Sequence, residues 1–178
     1  MPWANGRGTS YEIASDRNEA EEWTWRLAIA PVVEDGPFSL LSGVDRNLVV
    51  IEGNGMVLDV DGKTLECLPA QVVQFPGDVG IFARLKDGPI VDLGLMTVRD
   101  LVAGSMSVVS KSRDILGSRV LVALSEKVEI VVEGTSYLLG RLDAVIQEDE
   151  SAICLSSGVV ACLVVIGVGT TPSVGGSC

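Results

Sequence analysis

Histidine is missing altogether from the 178 residues. No imidazole base, no Ser-His-Asp triad and no histidine-based metal site can be assembled from this chain, which removes much of hydrolase and metalloenzyme chemistry. Basic residues are scarce as well: 13 lysines and arginines face 24 acidic residues, a formal charge of -11. Such a surface does not displace counterions from a phosphate backbone, so nucleic acid is not an expected partner. Only four cysteines occur, Cys67, Cys154, Cys162 and Cys178, with no C-x-x-C pair among them. They read as small buried apolar residues plus a thiol near the end of the chain. Long apolar runs are lacking too, since Val159 to Val168 is about half of what a membrane helix needs. With no basic and apolar leader at Met1-Pro2-Trp3, a protein of the reducing cytoplasm without a membrane partner is expected.

What the chain does contain is β-branched sequence cut by turn residues. Hydrophobic residues make up 47% and charged residues 21%, the composition of a packed globule. Leu48 to Ile51 reads as a buried strand, Glu52-Gly53-Asn54-Gly55 as a tight turn, Met56 to Val60 as the returning strand and Asp61-Gly62 as the next turn. Further strands are expected over 64–68, 70–75, 81–85 and 90–97. Trp23 to Ala30 alternates with period two, which places Trp23, Trp25, Leu27 and Ile29 on one face. Residues 15–22 read as a charged loop, 99–104 as a short helix, and the chain beyond Thr170 as a disordered tail. Many short strands and almost no helical periodicity mean an all-β protein.

An internal repeat is visible at an offset of about 73 residues. Arg46, Leu48 and Val49 fall on Arg119, Leu121 and Val122, and the hairpin after Met56 falls near Val128 to Gly134. Two β-barrels in tandem are expected, residues 1–98 and 99–169, followed by the tail at 170–178.

Val50-Ile51-Glu52-Gly53 with its hairpin, and Pro76-Gly77 before a strand, resemble the two consensus segments of the cupin barrels. Pro2-Trp3-Ala4-Asn5-Gly6, Trp25-Arg26-Leu27, Asp35-Gly36-Pro37-Phe38-Ser39, Asp45-Arg46, Glu52-Gly53-Asn54-Gly55, Asp87-Gly88-Pro89 and Met96-Thr97 together resemble the HutD/Ves family of bicupins. The resemblance implies a pair of RmlC-like jelly rolls. It also sets Arg46 where catalytic cupins carry a metal-ligating glutamate, Gly80 where they carry a histidine and Arg84 where an asparagine trails. No metal and no cofactor are therefore expected. A guanidinium in place of a carboxylate turns a cation site into an anion site.

The resulting expectation is a metal-free protein that binds a small carboxylate, with Trp3, Asn5, Arg46, Arg84 and Met96 as ligand-binding residues of the first barrel. Resemblance to HutD implies a link to histidine utilisation, with urocanate or formylglutamate as candidate ligands. Three alternatives stand beside it. Arg46 and Arg84 could make structural ion pairs with Asp45, Asp92 or Glu12. The protein could be a metal-independent isomerase or hydrolase using Glu12 or Asp92. It could be an interaction module without a ligand, forming a homodimer through strand edges or an apolar, solid second barrel.

Overall fold

The computed structural model describes residues 9–117, 120–147 and 152–167, with 161–167 as backbone only. In chain order the strands are β1 (Tyr11–Arg17), β2 (Trp23–Val32), β3 (Gly36–Pro37), β4 (Val44–Glu52), β5 (Met56–Val60), β6 (Lys63–Cys67), β7 (Val72–Pro76), β8 (Ile81–Leu85) and β9 (Ile90–Val98). They continue as β10 (Val102–Val109), β11 (Arg113–Ile115), β12 (Val120–Ala123), β13 (Val128–Val132), β14 (Thr135–Leu139), β15 (Ala144–Ile146), β16 (Ile153–Ser157) and β17 (Val160–Gly167). The described residues contain no helix, and so none long and apolar enough to cross a membrane.

Four antiparallel sheets result, with strand orders β1-β2-β9-β4-β7, β3-β8-β5-β6, β10-β17-β12-β15 and β11-β16-β13-β14. The second pair of sheets repeats the first strand for strand, β2 answering to β10, β9 to β17, β4 to β12 and β5 to β13. Among the described residues only β1 has no counterpart. The three hydrophobic clusters show how the sheets stack. Leu48, Val50, Met56, Leu58, Phe75 and Ile81 fill the space between the first two sheets. Leu121, Ala123, Val128, Ile130, Ile153 and Val160 do the same between the last two. Between these pairs lies a third cluster in which Trp25, Leu27, Val49, Leu93 and Leu95 pack against Met106, Val120 and Val122.

The two inner sheets are therefore covered on both faces, which is why residues 48–51 of β4 and 120–123 of β12 are unbroken apolar runs. All four residues of β12 are buried. Polar contacts cross the middle layer as well. Asn47, only 3% exposed, donates from Nδ2 to Gly104 O at 3.2 Å and accepts at Oδ1 from Gln74 Nε2 at 2.6 Å. Arg141 Nη1 donates to Glu52 Oε1 at 2.6 Å. A Cβ at Gly104 would stand 2.6 Å from the Thr97 side chain, so only glycine lets β10 lie this close to β9.

Three local expectations are corrected. The segment after Val98 makes a tight turn and enters β10 at Val102 instead of forming a helix, because its Ser and Gly residues sit between Val and Met at strand spacing. Strand β1 runs on to Arg17, its register with β2 satisfying the backbone of the charged residues, so the loop is only 18–22. Trp23 does not share the face of Trp25: a register shift where Arg17 meets Trp23 inserts an extra residue on β2 and turns the indole toward the opposite side.

Candidate functional site

A cavity of about 330 Å³ opens on the face of β2, β9 and β4 that looks away from the second pair of sheets. Its floor follows from the register of three adjacent strands. Arg26, Met96 and Arg46 lie side by side, then Ala28, Gly94 and Leu48, then Ala30, Asp92 and Val50. Alanine and glycine in the middle of the floor leave space that larger side chains would fill. Phe38, Ser39 and Leu41, from the loop after β3, and Phe75 of β7 form the wall opposite, with Trp23 and Ser10 at the side. All the lining residues fall between Ser10 and Met96 in sequence.

Arg46 is held at the back of this wall. Its Nη2 donates to Ser39 O, its guanidinium lies 5.7 Å from the centre of the Phe38 ring, and that ring meets Phe75 edge-on at 6.3 Å. Its Nε is buried with no hydrogen-bond partner among the described residues. Burial lowers the Arg46 pKa, and the negative charge of Asp92 works against that shift. Gly77 makes room for the guanidinium, since a Cβ there would press on Val44 O, Leu41 O and Arg46 Nε at 3.0, 3.1 and 3.2 Å.

Arg26 is differently placed. Its Nη2 donates to Ser10 Oγ at 2.8 Å, and its Nε lies 3.0 Å from Glu12 Oε2, outside hydrogen-bonding alignment, so the contact is one of charge. Asp92, 5% exposed, is the acidic residue of the floor. Burial pushes its pKa up to about 7, against the pull of Arg46. No carboxylate of the described residues makes a direct ion pair with Arg46.

Of the residues expected at the site, Arg46 and Met96 line the cavity. Arg84 does not: Ile81 and Ala83 take the inward positions of β8, so Phe82 and Arg84 face solvent, with the guanidinium 5.2 Å from the Phe82 ring centre. Trp3 and Asn5 lie outside the described residues, as do Arg119 and the tail at 170–178. Of the acids considered as ion-pair partners of Arg46 and Arg84, Glu12 pairs with Arg26 and Asp45 with Arg99, while Asp92 interacts with Arg46 through its charge without a direct ion pair. Arg26 and Asp92 were not among the expected ligand-binding residues. The signal for each was a lone charge inside an apolar strand, Trp25-Arg26-Leu27 and Val91-Asp92-Leu93. Among the described residues no three His, Cys, Asp or Glu side chains converge to hold a metal ion. The guanidinium of Arg46 at the cavity wall would also repel a cation.

Comparison with known proteins agrees with this architecture. The HutD family profile matches residues 1–163. An uncharacterised 21.2 kDa protein from the hutC 3' region of Pseudomonas putida is 39% identical over 98 residues, 54% of this chain and 52% of that protein. Protein Ves of Citrobacter koseri is 33% identical over 119 residues, 66% of this chain and 62% of its own. The chain thus spans about half to three-fifths of the curated relatives it matches. The structure of HutD from Pseudomonas fluorescens, in a formate condition, superposes with a TM-score of 0.80 at 31% identity, covering 95% of this chain and 94% of that one. A cupin 2 conserved barrel domain protein from Leptotrichia buccalis, 8% identical, has a TM-score of 0.59 over 94% of this chain and 91% of its own, a likeness of fold alone. The chain belongs to the HutD family.

Proposed function

We propose that this protein is a bicupin that binds a small carboxylate in its first barrel, residues 1–98, while the second barrel, 99–169, is a closed scaffold. The observation that carries this reading is Arg46: a guanidinium beside an apolar cavity, with a buried Nε that no described residue satisfies. Such a group gains most from a planar anion that accepts paired hydrogen bonds. Arg26 adds positive charge on the same row of the floor. One finding supports the physiological side: a relative is encoded in the hutC 3' region. Urocanate and formylglutamate are the candidate ligands, with a role in controlling histidine utilisation in the cytoplasm.

Isothermal titration with urocanate, formylglutamate, glutamate and formate tests the reading, with and without chelator. Saturable binding that survives chelator and falls at least about 100-fold in Arg46→Ala is the expected result, since a charge-assisted pair contributes roughly 1.5–3 kcal/mol and sometimes more when enclosed. Undiminished affinity in a folded Arg46→Ala protein would sink it.

One observation favours a second reading, a metal-independent isomerase or hydrolase: a buried carboxyl near pKa 7 suits acid–base work. Proton NMR of each candidate acid incubated with the protein decides this, because turnover changes the ligand spectrum and binding alone does not.

A further inference from the structure

The cavity has two polar ends on one apolar floor. Arg26 and Arg46 mark one end at the row of Met96, and Asp92 marks the other, four residues along β9. That separation is roughly 13 Å between backbone rows, shortened by the side chains that reach in. Asp92 leans toward the middle of the floor: its Oδ1 lies 3.6 Å from where a Cβ on Gly94 would stand. Among the described residues no nitrogen, including those of Arg46, comes within ion-pair or hydrogen-bond reach of this carboxyl group.

The Asp92 carboxyl group is open to the cavity it lines, and with no donor from the described residues its acceptor capacity is free for a molecule in that space. Nothing in the packing of the floor requires an acid there. Ala30 and Val50, its neighbours in register, are apolar, and the position corresponding to Asp92 in the second pair of sheets is Val160. We propose that Asp92 is the second recognition group of the cavity, accepting a hydrogen bond from an N–H donor on a ligand whose carboxylate lies against Arg46. This rests on the carboxylate reading of Arg46 and narrows it. The ligand is a small acid with an amide, amine or imidazole N–H at the end away from its carboxylate. A simple aliphatic or aromatic acid fills the same space but leaves Asp92 unmatched.

The test compares two acids of similar shape, urocanate, which carries an imidazole N–H, and cinnamate, which carries a phenyl ring. Titrations use the full chain, Asp92→Ala and Asp92→Asn, with near-UV circular dichroism confirming the fold of each. The expected result is that the parent prefers urocanate by at least about tenfold. Asp92→Ala erases that preference while leaving cinnamate affinity within about threefold, and Asp92→Asn, which keeps an acceptor oxygen, retains part of it. If Asp92→Ala does not fold, Asp92→Asn decides alone: a preference undiminished from the parent overturns the proposal. Equal affinity of the parent for both acids overturns it too while leaving the carboxylate site standing. An equal loss of both acids in Asp92→Ala also overturns it, showing a structural role. Binding of neither acid to the parent removes this proposal together with the carboxylate reading.

Discussion

The two pairs of sheets have the same strand order and opposite interiors. In the first, Ala30, Asp92 and Val50 lie in register across β2, β9 and β4; in the second, Val109, Val160 and Ala123 lie in register across β10, β17 and β12. Ala30 and Asp92 of the first triplet line the cavity and Val50 packs in the core beside it, whereas the second triplet belongs to an apolar cluster in which Val160 is 0% exposed. One strand order thus carries a cavity in the first pair and an apolar cluster in the second. In these triplets the interiors differ by a charge in place of valine, Asp92 against Val160, and by alanine in place of valine, Ala30 against Val109.

The sharpest way to break this comparison is to give the second interior the acid of the first. Val160→Asp buries a carboxylate with no cavity and no arginine beside it, and a loss of about 4 kcal/mol or more is expected from urea unfolding. A loss below about 1 kcal/mol would show that the second interior is not sealed.

The reverse exchange, Asp92→Asn, relieves the first interior, and its effect depends on pH. The Asp92 pKa is raised from 3.8 to about 7 in the folded protein. Between these values the unfolded chain is ionised while the folded protein still holds its proton, so stability falls as pH rises and levels off above about 7. Arg46 on β4 opposes this shift, and the Cys67 thiol on β6 is raised chiefly by its own burial and further by the charge of Asp92. The asparagine variant lacks the effect. It should be more stable than the parent by roughly 2 kcal/mol at pH 8, with about 4 as the ceiling set by the shift, and the gap should close toward pH 4. Thermal melts at the two pH values check the sign.

Smaller effects concern the joint between the pairs and the outside of the first. Arg141→Ala removes the contacts to Glu52 Oε1 and Ile51 O, but Glu52 is half exposed. A loss of about 0.5–1 kcal/mol is expected in urea, lower still in high salt. Arg84→Ala should change stability by less than about 0.5 kcal/mol and leave ligand affinity unaltered, because the side chain lies on the solvent face of β8. A large loss of binding in Arg84→Ala would place the site elsewhere than the described cavity.

How much of this could be read from the amino acids differs between fold and site. Turn chemistry and β-branched runs mark most strands closely, Ile81 to Leu85 among them, because a strand and its turns are local. The repeat also survives in sequence, with Leu48 and Leu121 at equivalent places in β4 and β12. Which face of a strand looks inward is not local. Alternation pairs Phe82 with Arg84 but does not say that Ile81 and Ala83 point to the core. The bulge that turns Trp23 away from Trp25 is set by pairing with β1, which the sequence of β2 does not contain. Arg26 was hidden for a related reason: both faces of β2 are covered, so the face opposite the tryptophan row was no more solvated than the row itself. Arg46 was reachable only because the family resemblance aligned it with a ligand position.

The middle layer has a consequence for how the molecule comes apart. Met106, Val120 and Val122 share a cluster with Trp25, Leu27 and Leu93, so neither pair of sheets can melt without exposing the apolar face of the other. Calorimetry should therefore record a single heat-absorption peak, with its van 't Hoff and calorimetric enthalpies equal. Damage at Val160 would then empty the cavity around Arg46 with no message passing between them, because the two places hold together or fail in the same cooperative event.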